Sequence, residues 1–380
     1  MAVGIIAEYN PFHNGHLYHL KKIKEMYPSE EIILVLSGNF TQRGDVSIID
    51  KWQKTKIASL MGIDLIVELP LPFAIQSADF FSYGAITILE KLKVDKFVFG
   101  SENDDIETLT TIAKCQLENN DFDKLVKIYS KFGENYPTAI SKAIYDLTNK
   151  KVNTPNDLLG VSYIKTIIKN NYKIKPIIIK RTTDYHKEKL QSITSSTTIR
   201  NYLRNNENID IAIPEIEKEF LSKEKLHFID DYFTLLKYKI ISEEDLSIYQ
   251  TVDEGIDKLL KKVILECSTY EQLKEKLKSK RYTYNKISRM LLHILLGYTK
   301  EQNNLFKEIQ YIRILGFNEK GQKYLNKIKK EIEIPILSKF EKNNKMLEFE
   351  LHSTIIYSLP KNEFFLIKEE YKNHLNKKGD

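Results

Sequence analysis

An α/β fold, with a doubly wound parallel sheet followed by a mostly helical region, is what this 380-residue sequence predicts. Three observations carry that reading. Short apolar runs alternate with segments of helical periodicity through the first 205 residues, each run stops at a polar or glycine-bearing turn, and helical periodicity dominates from residue 206 onward.

Val3, Ile5 and Ile6 form the first run, apolar on both faces as a buried parallel strand requires. Leu17, Leu20 and Ile23 then recur at helical spacing. Ile32 to Leu36 is the second strand, Trp52 to Met61 a helix, and Asp64 to Leu69 the third strand, closed by Pro70 and Pro72. A helix from Ser77 to about Leu92 leads into a fourth strand, Asp95 to Phe99. Residues 105–149 read as inserted helices that carry no recognisable chemistry. Thr154 and Pro155 then open a helix as cap and first residue, and KPIIIK, Lys175 to Lys180, holds a fifth strand. The result is a Rossmann-like sheet of five parallel strands with right-handed crossovers, in a domain spanning 1–205 with the insertion at 105–149. Residues 206–380 make a second, mostly helical domain.

Only Cys115 and Cys267 are present, far apart, so a disulfide scaffold is not expected and a reducing, cytoplasmic setting is. No run is long enough for a membrane span, and the N-terminus reads as a strand without signal-peptide character. The net charge of +6 is unevenly spread. Residues 151–200 hold ten Lys and Arg against three Asp and Glu, and residues 251–330 hold eighteen against nine, the footprint of a polyphosphate or nucleic acid partner.

The chemistry concentrates in two turns. After the first strand comes EYNPFHNGH, in which Gly15 lets the main chain approach a ligand at a helix N-terminus, where free N–H groups favour anions. His13 and His16 flank that glycine and are placed to meet one phosphate. A zinc site is not expected, because three or four ligands are needed and the nearby His19 is assigned to a different helix face from His16. The second turn, SITSSTTIR, puts the hydroxyls of Ser195, Ser196, Thr197 and Thr198 at a helix start with Arg200 just beyond, a set that suits a polyphosphate. Arg181, at the end of the fifth strand, is placed for a phosphate or a base. Two other strand ends are candidates for a second substrate: Ser37, Gly38, Asn39 and Gln42 in SGNFTQRGD, and Ser101 and Glu102 after Gly100. Lys280, Arg281, Lys286 and Arg289, interleaved with Tyr282, have the mixture used for RNA.

His13-Asn14-Gly15-His16 together with Ser195 to Arg200 resembles the nucleotidyltransferases of the His-x-Gly-His superfamily. GIIAEYNPFHNGH, SGNFTQRG, VELPLPFA, FGSE, PNDLLGVSYIK, ITSSTTIR, DEGIDKLL, KRYTYNKISRMLLHILLG and YIRILGF, in that order, are similar to blocks of the bacterial tRNA(Met) cytidine acetate ligase family. The resemblance implies that acetate attacks ATP to give acetyl-adenylate, after which the N4 amine of the wobble cytidine of elongator tRNA(Met) takes the acetyl group. It also implies ATP contacts along Ala7, Glu8, Tyr9, Asn10, Pro11, Phe12, His13, Asn14, Gly15, His16, Leu17, Tyr18, His19 and Leu20, and at Gly100, Asn156 and Arg181. Ser195, Ser196, Thr197 and Arg200 are then expected on the phosphates, with His13, His16 and Arg200 as the catalytic groups. Magnesium is expected on the phosphates, without a protein metal site. Two other functions fit the residues alone: a small-molecule adenylyltransferase of the NAD or CoA precursor type, and a non-catalytic nucleotide- or RNA-binding protein.

Overall fold

The computed structural model describes residues 1–152, 154–181, 190–223 and 225–372. Strands β1 (Ala2–Ala7), β2 (Glu31–Ser37), β3 (Leu65–Leu69), β4 (Lys96–Ser101) and β5 (Lys175–Lys180) run parallel to one another. Two further strands come from the C-terminal half: β6 (Ile312–Phe317), antiparallel to β3, and β7 (Ile336–Leu337), parallel to β6. The sheet therefore has seven strands, in the order β5-β4-β1-β2-β3-β6-β7, where the sequence suggested five. The omission has a physical cause. Arg313, the second residue of IRILGF, interrupts the apolar run, yet all six residues of that strand are buried. The sheet thus draws on chain from both sides of residue 205, while the rest of the C-terminal half is mostly helical.

The charge that hides β6 in the sequence is neutralised inside the protein. Arg313 Nη1 lies 3.2 Å from Glu68 on β3, and its Nη2 lies 2.7 Å from Glu370 near the C-terminus. Lys51 Nζ meets the same two carboxylates at 2.7 and 2.8 Å. Two cations and two anions, all essentially without solvent exposure, so tie β3 and β6 to helices Lys51–Leu60 and Phe365–Glu370. The pull of Arg313 and Lys51 outweighs burial at Glu370 and holds its carboxyl down at about 2. Beside them Glu350 accepts the Leu71 N–H, and burial raises its carboxyl to about 8.

The strand order also positions the site. From β1 the chain steps outward to β2 and β3, then returns to the other side of β1 for β4 and β5. The crevice at the carboxyl ends of β1 and β4 is therefore the topological switch point, where ligands bind in open α/β sheets. Helices Ala78–Lys91 and Pro155–Lys169 pack together beside it, and the first inserted helix, Ile106–Glu118, packs on the second of them. Ile287, Met290, Leu291, Ile294 and Leu295 are buried as the core face of helix Tyr284–Leu296. No described helix is long and apolar enough to cross a membrane.

Two outcomes follow from these buried charges. Arg313→Met leaves Glu68 and Glu370 with Lys51 alone, and loss of one partner from a buried set costs about 3–5 kcal/mol, to be read from urea unfolding. Glu217, on helix Glu215–Lys223, is raised to about 8, chiefly by burial, against the weaker downward pull of the Phe12 N–H and Lys54. Its folded value lies above its unfolded one, so the protonated form supports the fold below the ordinary carboxyl range and that support is lost as pH rises toward 8. Glu217→Gln is therefore expected to flatten the fall in unfolding midpoint between pH 5 and pH 8; an equal fall in both proteins contradicts the assignment.

Candidate active site

The turn after β1 is held from both sides. Tyr9 takes a left-handed backbone angle, φ 44°. Asn10 donates from its side-chain amide to the Val46 carbonyl at 2.9 Å and accepts the Ile48 N–H at 2.8 Å. Pro11 and Phe12 are buried beneath it, Phe12 meeting the Tyr9 ring edge-on at 4.8 Å. Asn14 donates its backbone N–H to Ala212 and its amide to the carbonyls of Ser192 and Ile211. It therefore staples the first turn to the chain flanking the second. Leu17 and Leu20 pack into the core.

His13 and His16 cap the helix Asn14–Met26 reciprocally. His13 Nδ1 accepts the Gly15 N–H at 3.0 Å, and His16 Nδ1 accepts the His13 N–H at 3.3 Å. An imidazole that accepts through Nδ1 carries its proton on Nε2, so the cap fixes the tautomer of both rings. The rings stack with centroids 3.8 Å apart. Burial, then Arg181 and Arg200, push His13 down to about 3; burial, His13, Arg181 and His19 hold His16 well below its usual range. Both rings are therefore neutral Nε2–H donors. A Cβ at Gly15 would lie 2.8 Å from the His13 ring, so the close approach requires glycine.

A cavity of about 840 Å³ opens over this turn. Ala7, Glu8, Tyr9, Asn10, His13, Gly15, His16, Tyr18 and His19 line it. His19 shares the cavity with His16, contrary to the different face assigned from the sequence, because residues three apart lie about one helical turn apart on neighbouring positions. Burial and Arg181 push it down to about 4. Among the described residues no cluster of three His, Cys, Asp or Glu is arranged to hold a metal.

Gly100, Asn156 and Arg181 come together at the β4 and β5 end of the cavity. Glu102 organises them: it accepts Asn156 Nδ2 at 2.6 Å, lies 3.3 Å from Arg181 Nε and accepts the Thr154 hydroxyl at 3.0 Å. Ser101 is buried and donates to Asp157, which also accepts the N–H groups of Glu102 and Asn103. Glu102 and Ser101 thus support the wall behind the cavity surface. Asp157 was not singled out in the sequence, where an acidic residue in a first helical turn looks like ordinary helix dressing.

The second turn divides its hydroxyls between cap and cavity. Ser195 Oγ accepts the Thr198 N–H at 3.1 Å and Thr198 is buried, whereas Ser196 lines the cavity and Thr197 is exposed. Arg200 reaches back to the first turn, donating to the Asn10 carbonyl at 2.8 Å, with Asp45 3.4 Å from its Nε.

Of the second-substrate candidates only Gln42 borders the cavity; its N–H donates to Glu8 at 2.7 Å and its amide to the Gln76 carbonyl. Ser37, Gly38 and Asn39 are buried behind the surface. There the ammonium of Lys54 donates to the carbonyls of Glu8, Ser37 and Gly38 at 2.9, 2.8 and 2.6 Å, and Asn39 accepts the Lys51 N–H. Burial pulls Lys54 down to about 7. A lysine in a helix pattern gives no sign of that inward use.

The basic segment also divides. Lys280 and Arg281 are exposed, Arg281 lying 3.2 Å from Glu254. Tyr282 is buried, its hydroxyl donating to the Asp253 carbonyl and its ring covered by Lys286 at 4.0 Å, so it offers no open face for stacking. Arg289, with Thr283 and Asn285, lines the cavity. So do Gln116, Tyr136 and Ile140 of the insertion, which the sequence left without a role.

A model of the HIGH nucleotidyl transferases matches residues 1–372. The chain is 38% identical to the tRNA(Met) cytidine acetate ligase of Caldicellulosiruptor saccharolyticus over 98% of each protein, and 39% identical to that of a Geobacillus species over 89% of this chain and 88% of the relative. It is similar to the crystal structure of Thermotoga maritima TmcAL bound with alpha-thio ATP, with a TM-score of 0.85 and 32% identity over 95% of both chains. The apo form of that protein gives 0.89 and 30% identity over 98% of this chain and 97% of that one. With its two histidines capping one helix over the switch point and Arg200 reaching back to the turn that carries them, the chain belongs to the HIGH nucleotidyl transferases and, among them, to the tRNA(Met) cytidine acetate ligase family.

Proposed function

We propose that the chain uses ATP to join acetate to the N4 amine of the wobble cytidine of elongator tRNA(Met), through acetyl-adenylate. The observation that carries the mechanism is the pair of neutral Nε2–H donors fixed at the switch point by their mutual cap. In the first step an acetate oxygen forms a bond to the α-phosphorus, the bond to the bridging oxygen breaks, and its electron pair leaves with pyrophosphate. His13 and His16 donate to the oxygens on which charge grows, and Arg200 with Ser196 holds the leaving phosphates. Gly100, Asn156 and Arg181, braced by Glu102, take the nucleoside end. In the second step the cytidine N4 attacks the acetyl carbon, the bond to the phosphate oxygen breaks, AMP leaves, and the amine gives up a proton.

Magnesium is part of this proposal only as a passenger on the phosphates, and no step above depends on it. The cytoplasm, where tRNA is modified, is the proposed location. The extensive C-terminal half favours this reading over a small-molecule adenylyltransferase, which needs no basic surface of that size.

The test is to supply ATP, labelled acetate and tRNA and to digest the product to nucleosides. Label in N4-acetylcytidine supports the reading; acetate-independent consumption of ATP with a mononucleotide supports the adenylyltransferase instead. Replacing His16 with Ala is expected to slow acetate-dependent ATP–pyrophosphate exchange by roughly a hundredfold or more, as for loss of one preorganised donor. By ring NMR, His13 should stay neutral from pH 8 to pH 5, and His16 should titrate well below the usual imidazole range; a titration of either near 6.5 contradicts the fixed tautomers. Replacing Lys280, Arg281 and Lys286 together with Ala should flatten the salt dependence of tRNA binding by about two to three units of slope while exchange persists. An unchanged slope moves the RNA to another surface.

A further inference from the structure

Of the second-substrate candidates Ser37, Gly38 and Asn39 are committed to Lys51 and Lys54, and Gln42, which borders the cavity, spends its amide on the Gln76 carbonyl, so none of them offers acetate a cation. The cavity does contain a cation that lacks an acid. Arg181 pairs with Glu102, Arg200 with Asp45, Lys165 with Asp79 and Lys180 with Asp104. Arg289 borders the same cavity and is half-buried, yet no hydrogen bond or ion pair joins its guanidinium to any described residue. Loss of water pulls it down to about 10, with no acid to pull it back. A guanidinium taken out of water without a counter-charge is costly, and proteins keep such groups where a ligand supplies the charge.

Its position is fixed on the side of the cavity away from Gly100, Asn156 and Arg181. Gly44, φ +79°, lets the loop after β2 approach so closely that a Cβ there would lie 2.4 Å from Arg289 N. One helical turn on, His293 Nε2 lies 2.9 Å from the carbonyl of Ile75, which follows β3. The arginine thus enters from the β2 and β3 side of the switch point, while the nucleoside end lies at β4 and β5. An anion that must attack a phosphate needs a cation to bring it there, and the neutral histidines do not supply one.

We propose that Arg289 binds the carboxylate of acetate and delivers it to the α-phosphate, an inference that rests on the function proposed above. The planar fork of the guanidinium matches a carboxylate bidentately. Once the new oxygen–phosphorus bond forms and pyrophosphate departs, the acyl group is uncharged, and the same guanidinium is left on its carbonyl oxygen, where charge grows when the amine attacks. A phosphate oxygen of ATP or RNA has the same chemistry, so the test must separate the three.

The experiment is acetate-dependent ATP–pyrophosphate exchange on the full chain carrying Arg289→Gln or Arg289→Lys, with acetate and ATP titrated separately, and tRNA titrated in the transfer assay. The expected result for Arg289→Gln is an acetate KM raised at least about fiftyfold, with the ATP and tRNA KM values within about threefold, and partial recovery in Arg289→Lys. The unfolding midpoint without ligands should equal or exceed that of the parent, since a desolvated charge has been removed. An unchanged acetate KM, or a rise confined to ATP or tRNA, overturns the assignment. Absence of acetate-dependent exchange in the parent protein overturns the proposed function along with it, whereas normal exchange in parent and variant alike overturns this inference alone.

Discussion

Each of two imidazoles accepts a backbone N–H through Nδ1, and the rest of the site depends on that exchange. It satisfies orphan donors at a helix start, a task that Ser, Asp or Thr more often performs, and in doing so commits both Nε2 atoms as donors. The supports converge on it. Asn10 fixes the turn to the segment after Asp45, Arg200 holds the Asn10 carbonyl, and Asn14 ties the helix start to Ser192. Lys54 gathers the carbonyls at the ends of β1 and β2 into one knot beneath. The donors are thus aimed before any ligand arrives, which is the condition under which they act on a transition state without reorganisation.

The C-terminal half completes this site as well as extending it. β6 closes the sheet beyond β3, and Arg313 on that strand joins Lys51, Glu68 and Glu370 in a charge set out of reach of water. Helix Tyr284–Leu296 then lies against the loop carrying Gly44 and contributes Arg289, Asn285 and its cap Thr283 to the cavity wall. The cavity wall is thus built from residues on both sides of position 205, whatever surface the RNA uses.

Much of this was legible in the sequence because the signals were local. The apolar runs of β1 to β4 end in polar turns, and the histidine pair and the hydroxyl turn each follow a strand as the fold requires. What escaped depended on distant partners. Arg313 masked β6 because its two carboxylates lie 245 and 57 positions away. Ser37, Gly38 and Asn39 looked like a ligand loop because nothing nearby announced that Lys54 turns inward onto the carbonyls of Ser37 and Gly38 or that Asn39 accepts the backbone N–H of Lys51. Tyr282 looked like a stacking platform until its hydroxyl found the Asp253 carbonyl. His19 was a failure of local geometry, since a spacing of three keeps it near His16 on the helix surface. Residues 182–189, beside Arg181, lie outside the described structure.

Whether acetate attacks the α-phosphate is decided by the fate of its oxygen. With acetate labelled with oxygen-18 in the carboxylate, one turnover on tRNA should place one labelled oxygen in the phosphate of AMP and none in pyrophosphate. Label in pyrophosphate or inorganic phosphate, or AMP released without label while tRNA is acetylated, would contradict the account.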